Sequence, residues 1–313
     1  MGLNLILAAA GGAAGCRGVA MGREELQTVR AEGAELVEVY AADRFFEGPT
    51  WDPVDGKLYF TSFAEGNQQV LRLEQPGKVS VWMDHTEGVN GTFRARDGRL
   101  LAAQTYGHRV LSLRLGGVGP ADVRVLAADP GWNQPNDICE TPEGLIFTTD
   151  PDFKARKKSR VLRVNADGSV TPVIDDMEIP NGIVSSLDGR TLYVSDSHAK
   201  HWRAYPIRPD GSVGPGRVFF DPQTPDRADP DGMTIDAEGN LYCTGRGGVW
   251  VVRPDGSLLE FIAVPEFVSN VTFGGADGRT LYMTCKGKVY GLALRVRGGA
   301  TGGWWEGIKG LRD

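Results

Sequence analysis

The feature that most constrains this chain is a turn that returns six times. An acidic residue followed by glycine stands at Asp55-Gly56, Asp97-Gly98, Glu143-Gly144, Asp188-Gly189, Glu238-Gly239 and Asp277-Gly278, at intervals of 42, 46, 45, 50 and 39 residues. After each turn comes a similar strand: "KLYFTS", "RLLAAQ", "LIFTTD", "TLYVSD", "NLYCTG" and "TLYMTC". A short loop and a further strand follow, such as "QVLRLE" or "GVWVVRP". Alternation of apolar and polar residues about an Asp-Gly is the pattern of a hairpin. Repeats of about 40–45 residues with several short strands each are the mark of propeller blades. The expectation is an all-β, six-bladed propeller with four-stranded antiparallel blades over residues 34–297. Residues 1–33 are read as an N-terminal extension with a short helix at 23–32, and residues 298–313 as a C-terminal tail. The stretch "AELVEVYA" (34–41) is placed to add an outer strand to the last blade, which would close the ring and hide two sheet edges.

Composition narrows the function classes. A net charge of −6 implies no basic face, so nucleic acid is excluded as a partner. No run approaches the ~18 apolar residues of a membrane span. The four cysteines stand at 16, 139, 243 and 285 without metal-site spacing, and Cys139, Cys243 and Cys285 fall in apolar runs, as buried free thiols do. The stretch before Cys16 is loosely like a lipoprotein signal but has no Lys or Arg ahead of its apolar residues. The reading therefore leans to a cytoplasmic protein starting at Met21, with an exported lipoprotein as the alternative.

Chemistry gathers ahead of the turns. Seven residues before each stand Asn90, Asn136, Asn181, Asp231 and Asn270, and eight before the first stands Glu47. All six carry a side-chain oxygen. In a propeller the innermost strand of each blade begins at one end of the central channel, so residues at this register converge on the axis. Asn and Asp also serve at strand starts by bonding nearby backbone. The pair Glu47 and Asp231 is harder to explain that way, because two carboxylates facing a closed channel repel unless a cation joins them. Oxygen donors without His or Cys suit a hard divalent cation, with Ca²⁺ first and Mg²⁺, Mn²⁺ or Zn²⁺ after it.

The motifs "FEGPT" (46–50), "QPNDI" (134–138), "IPNGI" (179–183), "DPDGM" (229–233) and "SNVTFGG" (269–275), in this order and spacing, resemble a known family. It comprises senescence marker protein (regucalcin), gluconolactonase and luciferin-regenerating enzyme, and the likeness runs from about Phe46 to Leu294. The bacterial gluconolactonase branch fits best. The resemblance implies metal ligands at Glu47, Asn136, Asn181 and Asp231, with Asn136 acting on substrate as well and Asp231 as general base or nucleophile. It implies hydrolysis of gluconolactone-like sugar lactones. A related branch, of the diisopropyl-fluorophosphatase type, cleaves organophosphates and is the alternative. Gln134 stands where the senescence-marker branch has arginine, which puts sugar-acid recognition there in doubt.

The same chemistry follows from the residues. A cation can polarise a lactone carbonyl while Asp231 activates water or attacks directly. Asn90 and Asn270 are expected to bond substrate hydroxyls. The loops after each second strand should form the rim and set specificity; Tyr106 and His198 are its leading candidates. Asp150 and Asp196, which end strands at this same side, are candidates for supporting the site. No G-x-S-x-G is present to argue for a serine triad. A non-catalytic propeller that binds a partner and keeps a cation for rigidity is the other class left open.

Overall fold

The computed structural model describes residues 28–224 and 229–299. The first strands are β1 (Val37–Asp52), β2 (Lys57–Ala64), β3 (Asn67–Gln75) and β4 (Lys78–Met83). Next come β5 (Val89–Arg94), β6 (Arg99–Gln104), β7 (Arg109–Arg114) and β8 (Ala121–Ala128). They are followed by β9 (Ile138–Glu140), β10 (Ile146–Asp150), β11 (Arg160–Val164) and β12 (Val170–Ile174). The fourth group is β13 (Pro180–Ser185), β14 (Thr191–Asp196), β15 (His201–Pro206) and β16 (Arg217–Phe220). The chain ends with β17 (Met233–Ile235), β18 (Leu241–Gly245), β19 (Gly248–Val252), β20 (Leu258–Ala263), β21 (Val268–Gly274) and β22 (Thr280–Ala293).

The expectation of six separate four-stranded blades is not met. Hydrogen bonding divides the strands into five sheets: four of four strands and one of six, ordered β21-β22-β1-β2-β3-β4. The reason lies where the two ends of the chain meet. β1 and β22, of 16 and 14 residues, are the longest strands. Phe45 pairs both with Phe63 of β2 and with Lys286 of β22, so β1 joins the two sides of the sheet as one strand, with register shifts after Glu38 and Ala41. From Ala41 to Phe45 the sequence is "AADRF", with no Gly or Pro to separate one strand from the next. Residues 37–41 pair with 288–291, joining the N-terminal strand to the C-terminal one.

β1, β5, β9, β13, β17 and β21 touch one another in that order, and β21 touches β1, so these strands line the axis. The core sits between neighbouring sheets. Trp202, Tyr193, Met233, Cys243 and Trp250 pack between the fourth group and the fifth, while Cys139, Phe147, Ile183, Leu192 and Tyr205 pack between the third and the fourth. Cys139, Cys243 and Cys285 are buried free thiols. Residues 28–32 are not helical: Arg30 bridges Leu294 and pairs with Glu260 at 2.7 Å. The rest of the expected helix, Cys16 and most of the C-terminal tail lie outside the described residues. Among the described residues no helix is long and apolar enough to cross a membrane.

Hydroxyls near the exit of the second strands stitch each sheet to the next. Thr149 Oγ1 donates to Asn181 O at 2.7 Å, Ser195 Oγ to Asp231 O at 2.9 Å and Thr244 Oγ1 to Ser269 O at 3.0 Å. Ser269 Oγ then donates to Phe46 O at 2.6 Å and carries the chain of contacts around to the N-terminal strand. The first three of these bonds reach a backbone carbonyl of a neighbouring sheet.

The glycine of "IPNGI" belongs to this crowding and not to a turn. A Cβ at Gly182 would lie 2.6 Å from Gly232 Cα and closer still to the Asp231 carbonyl oxygen. Gly91 and Gly232 are equally closed in, by Asp137 and by the Asn270 amide. At these three positions the inner strands near the axis approach too closely for a side chain. Gly182→Ala is expected to destabilise the protein by about 1–3 kcal/mol. A urea titration reads the loss, and an unchanged midpoint would show that the strands can part.

Candidate active site

Backbone bonds place the residues ahead of the turns at one end of the channel. Asn136 N donates to Thr149 O at 2.9 Å and Asp231 N to Thr244 O at 3.2 Å, so each strand start is pinned to the exit of its own second strand. Pro135, Pro180 and Pro230 precede Asn136, Asn181 and Asp231, and a proline leaves no N–H to satisfy at a strand start.

The side chains then meet across long stretches of sequence. Asn270 Nδ2 donates to Glu47 Oε2 at 3.1 Å and approaches Asp137 Oδ2 at 3.4 Å. Gly48 N also donates to Glu47 Oε2. The Asp231 carboxyl feels the charges of Glu47 and Asp137, which push it up, and the Asn181 amide beside it, which holds it down. Glu47, Asn136, Asp137, Asn181 and Asn270 are buried, while Asp231 is partly exposed. Burial is the largest cause holding all three carboxyls above the usual carboxylate range. Mutual repulsion adds to it: Asp137 acts on Glu47, and both act on Asp231. Asn90 contributes a buried Oδ1 with no hydrogen-bond partner. Below this cluster a cavity of about 90 Å³ runs on between the inner strands, lined by Thr50, Thr92, Asp137, Ile183, Thr234 and Asn270 among others.

The rim candidates are less engaged. Tyr106 is exposed, and its ring lies over Gly88, two residues ahead of Asn90. His198 is exposed and sits 3.3 Å from Glu178 Oε2, with Arg156 Nη1 at 2.8 Å from its Nδ1. Gln134 is half-buried, and its N–H donates to Asp150 Oδ1 at 2.8 Å. Asp150 and Asp196 hold backbone. The Asp196 carboxylate accepts from the N–H groups of Glu178, Ile179, His198 and Ala199 at 2.9–3.2 Å, which fixes the loop before β13 against the loop after β14.

Asp137 is the site residue that the register argument overlooks. It stands one position after Asn136, where the other copies have Gly48, Gly91, Gly182, Gly232 and Val271. An acid in a column of glycines was the available signal.

The donors that meet are acids mixed with amides. Among the described residues no group of three or more His, Cys, Asp or Glu side chains is arranged to hold a metal ion by itself. The oxygen-only chemistry, the crowding of acids and the unpartnered Asn90 oxygen nonetheless fit a hard cation better than vacant space.

Residues 45–287 match the family model described as SMP-30/Gluconolactonase/LRE-like region. The chain belongs to this family. Among curated members of the SMP-30/gluconolactonase/LRE-like family, it is 32% identical over 251 residues to a pentonolactonase of Haloferax volcanii, covering 78% of this chain and 82% of the relative. It is 27% identical to a gluconolactonase of Zymomonas mobilis, covering 83% and 81%. A solved family member, a gluconolactonase from Xanthomonas campestris, superposes with a TM-score of 0.74 at 29% identity, covering 85% of this chain and 91% of the other.

Proposed function

We propose that this protein hydrolyses sugar lactones at the Glu47–Asp231 cluster with the help of a divalent cation. It is a lactonase, as its relatives are: a pentonolactonase and gluconolactonases. The observation that carries the siting is the meeting of Glu47, Asn181, Asp231 and Asn270 at one end of the channel, from four separate sheet-forming segments. Glu47, Asn136, Asn181 and Asp231 would hold the cation, Ca²⁺ for preference, which when bound polarises a carbonyl oxygen.

The chain's own groups do the rest. Asp231 is the acid of the cluster that is open to the mouth, so it takes a proton from the attacking water. Water oxygen adds to the carbonyl carbon, the ring C–O bond breaks, and the ring oxygen receives the proton; the product is a hydroxy acid. Glu47 is held still by Gly48 N and Asn270 Nδ2 and serves as a ligand rather than a base. Asn90 Oδ1 and the Asn136 side chain would bond substrate hydroxyls, and Gln134, Tyr106 and His198 would form the outer rim.

A panel of pentono- and hexonolactones and one phosphotriester, run under one set of conditions, tests the reading. At least one sugar lactone is expected to open with a kcat/KM of about 10⁴ M⁻¹s⁻¹ or more, in the ordinary enzyme range. Turnover confined to the phosphotriester, or none at all, would overturn it.

A further inference from the structure

The Ser197 hydroxyl, in the loop after β14, touches both halves of the site. It lies 2.6 Å from Pro230 O and 3.0 Å from Asn181 Nδ2. Counting protons assigns the roles. A carbonyl only accepts, so the single hydroxyl proton goes to Pro230, and the Ser197 oxygen can then only accept from Asn181. Asn181 must present its NH₂ group there. With Nδ2 turned to Ser197, Oδ1 is left on the other side of the amide.

The hydroxyl is itself held in place. Ser197 N donates to Ile179 O at 3.0 Å, and the neighbouring Asp196 carboxylate gathers the backbone on either side of it. Thr105 occupies the same register two repeats earlier and donates to Pro135 O at 2.7 Å, just ahead of Asn136. Fixing the carbonyl of the proline before a site residue is thus a device used twice. Only Ser197 also receives the amide of the preceding site residue.

We infer that Ser197 is a positioning residue: its hydroxyl turns the Asn181 amide so that Oδ1 serves as a cation ligand, and it ties the Pro230–Asp231 segment to that amide. The inference rests on the proposed role of Asn181 as a ligand. Removing the hydroxyl leaves the amide free to rotate and present N–H to the cation, a repulsive arrangement.

Calorimetric titration of Ca²⁺ into chelator-stripped protein tests it without reference to turnover. Ser197→Ala is expected to weaken binding by about 10–100-fold, as loss of a ligand's supporting partner does, while Ser197→Thr keeps the affinity within about threefold of the unsubstituted protein. An alanine variant that binds as tightly as the parent, or that only melts earlier, overturns the inference and leaves the ligand role of Asn181 standing. A parent protein that binds none of Ca²⁺, Mg²⁺, Mn²⁺ and Zn²⁺ removes the ligand role and this inference together. Should Ser197→Ala fail to fold, Ser197→Cys takes its place, since a thiol of similar size bonds weakly in both directions.

Discussion

Asp231→Asn is expected to lower lactone turnover by about 10²–10⁴-fold, the usual contribution of a positioned base. The change keeps the shape and one oxygen of the side chain, and its backbone carbonyl still accepts from Ser195. The fold and most of the cation site should therefore survive. What disappears is the ability to hold a proton taken from water. The loss should fall on kcat at saturating cation, with KM nearly unchanged, because the substrate hydroxyls are bonded elsewhere. Calorimetry run alongside separates loss of the base from loss of the ion. Turnover within about tenfold of the parent in the ion-loaded variant would take the base away from Asp231.

Stripping the cation is expected to abolish turnover and to reshape the dependence of stability on pH. In the metal-free protein, burial and the Asp137 charge push Glu47 from 4.5 to about 8, and burial pushes Asp137 from 3.8 to about 7. The folded state then holds protons that the unfolded chain has released. Stability is full below the unfolded values and is lost as the pH climbs from about 4 to about 8. Urea midpoints of chelated protein should fall steadily across that window. Adding the cation should remove the fall, because a bound divalent charge offsets the repulsion and favours the ionised carboxylates. Midpoints that stay flat or rise between pH 5 and 8 in the chelated protein would separate these acids from one another, and turnover that persists after exhaustive chelation would take the ion out of the chemistry.

How much of this was legible in the sequence depends on distance along the chain. The hairpins were readable because Asp-Gly and period-two alternation are local signals, and the five intervals between turns made the repeat visible. The convergence of Glu47, Asn181, Asp231 and Asn270 followed from shared register alone. The sheet count did not. It depends on whether β1 runs on as one strand past Ala41 to Phe45, and a missing turn there leaves no local mark. Asp137 was hidden for a related reason: a search at seven residues before the turn stops one position short of it. The need for glycine in "IPNGI" was not legible, because its cause, the nearness of the Asp231 carbonyl, lies about fifty residues away. His198 and Tyr106 were chosen by loop position, and the structure places them at the edge with other partners.

The strand that carries Glu47 is also the clasp of the hoop. β1 holds the beginning of the polypeptide to its end through residues 37–41 and then delivers Glu47 to the axis a few positions later. Strain that pries β1 from β22 is therefore transmitted straight to Glu47 and, through it, to the acids and amides gathered at the axis. Ring closure and the placing of Glu47 are parts of a single mechanical element, so the ring cannot spring open without displacing that acid.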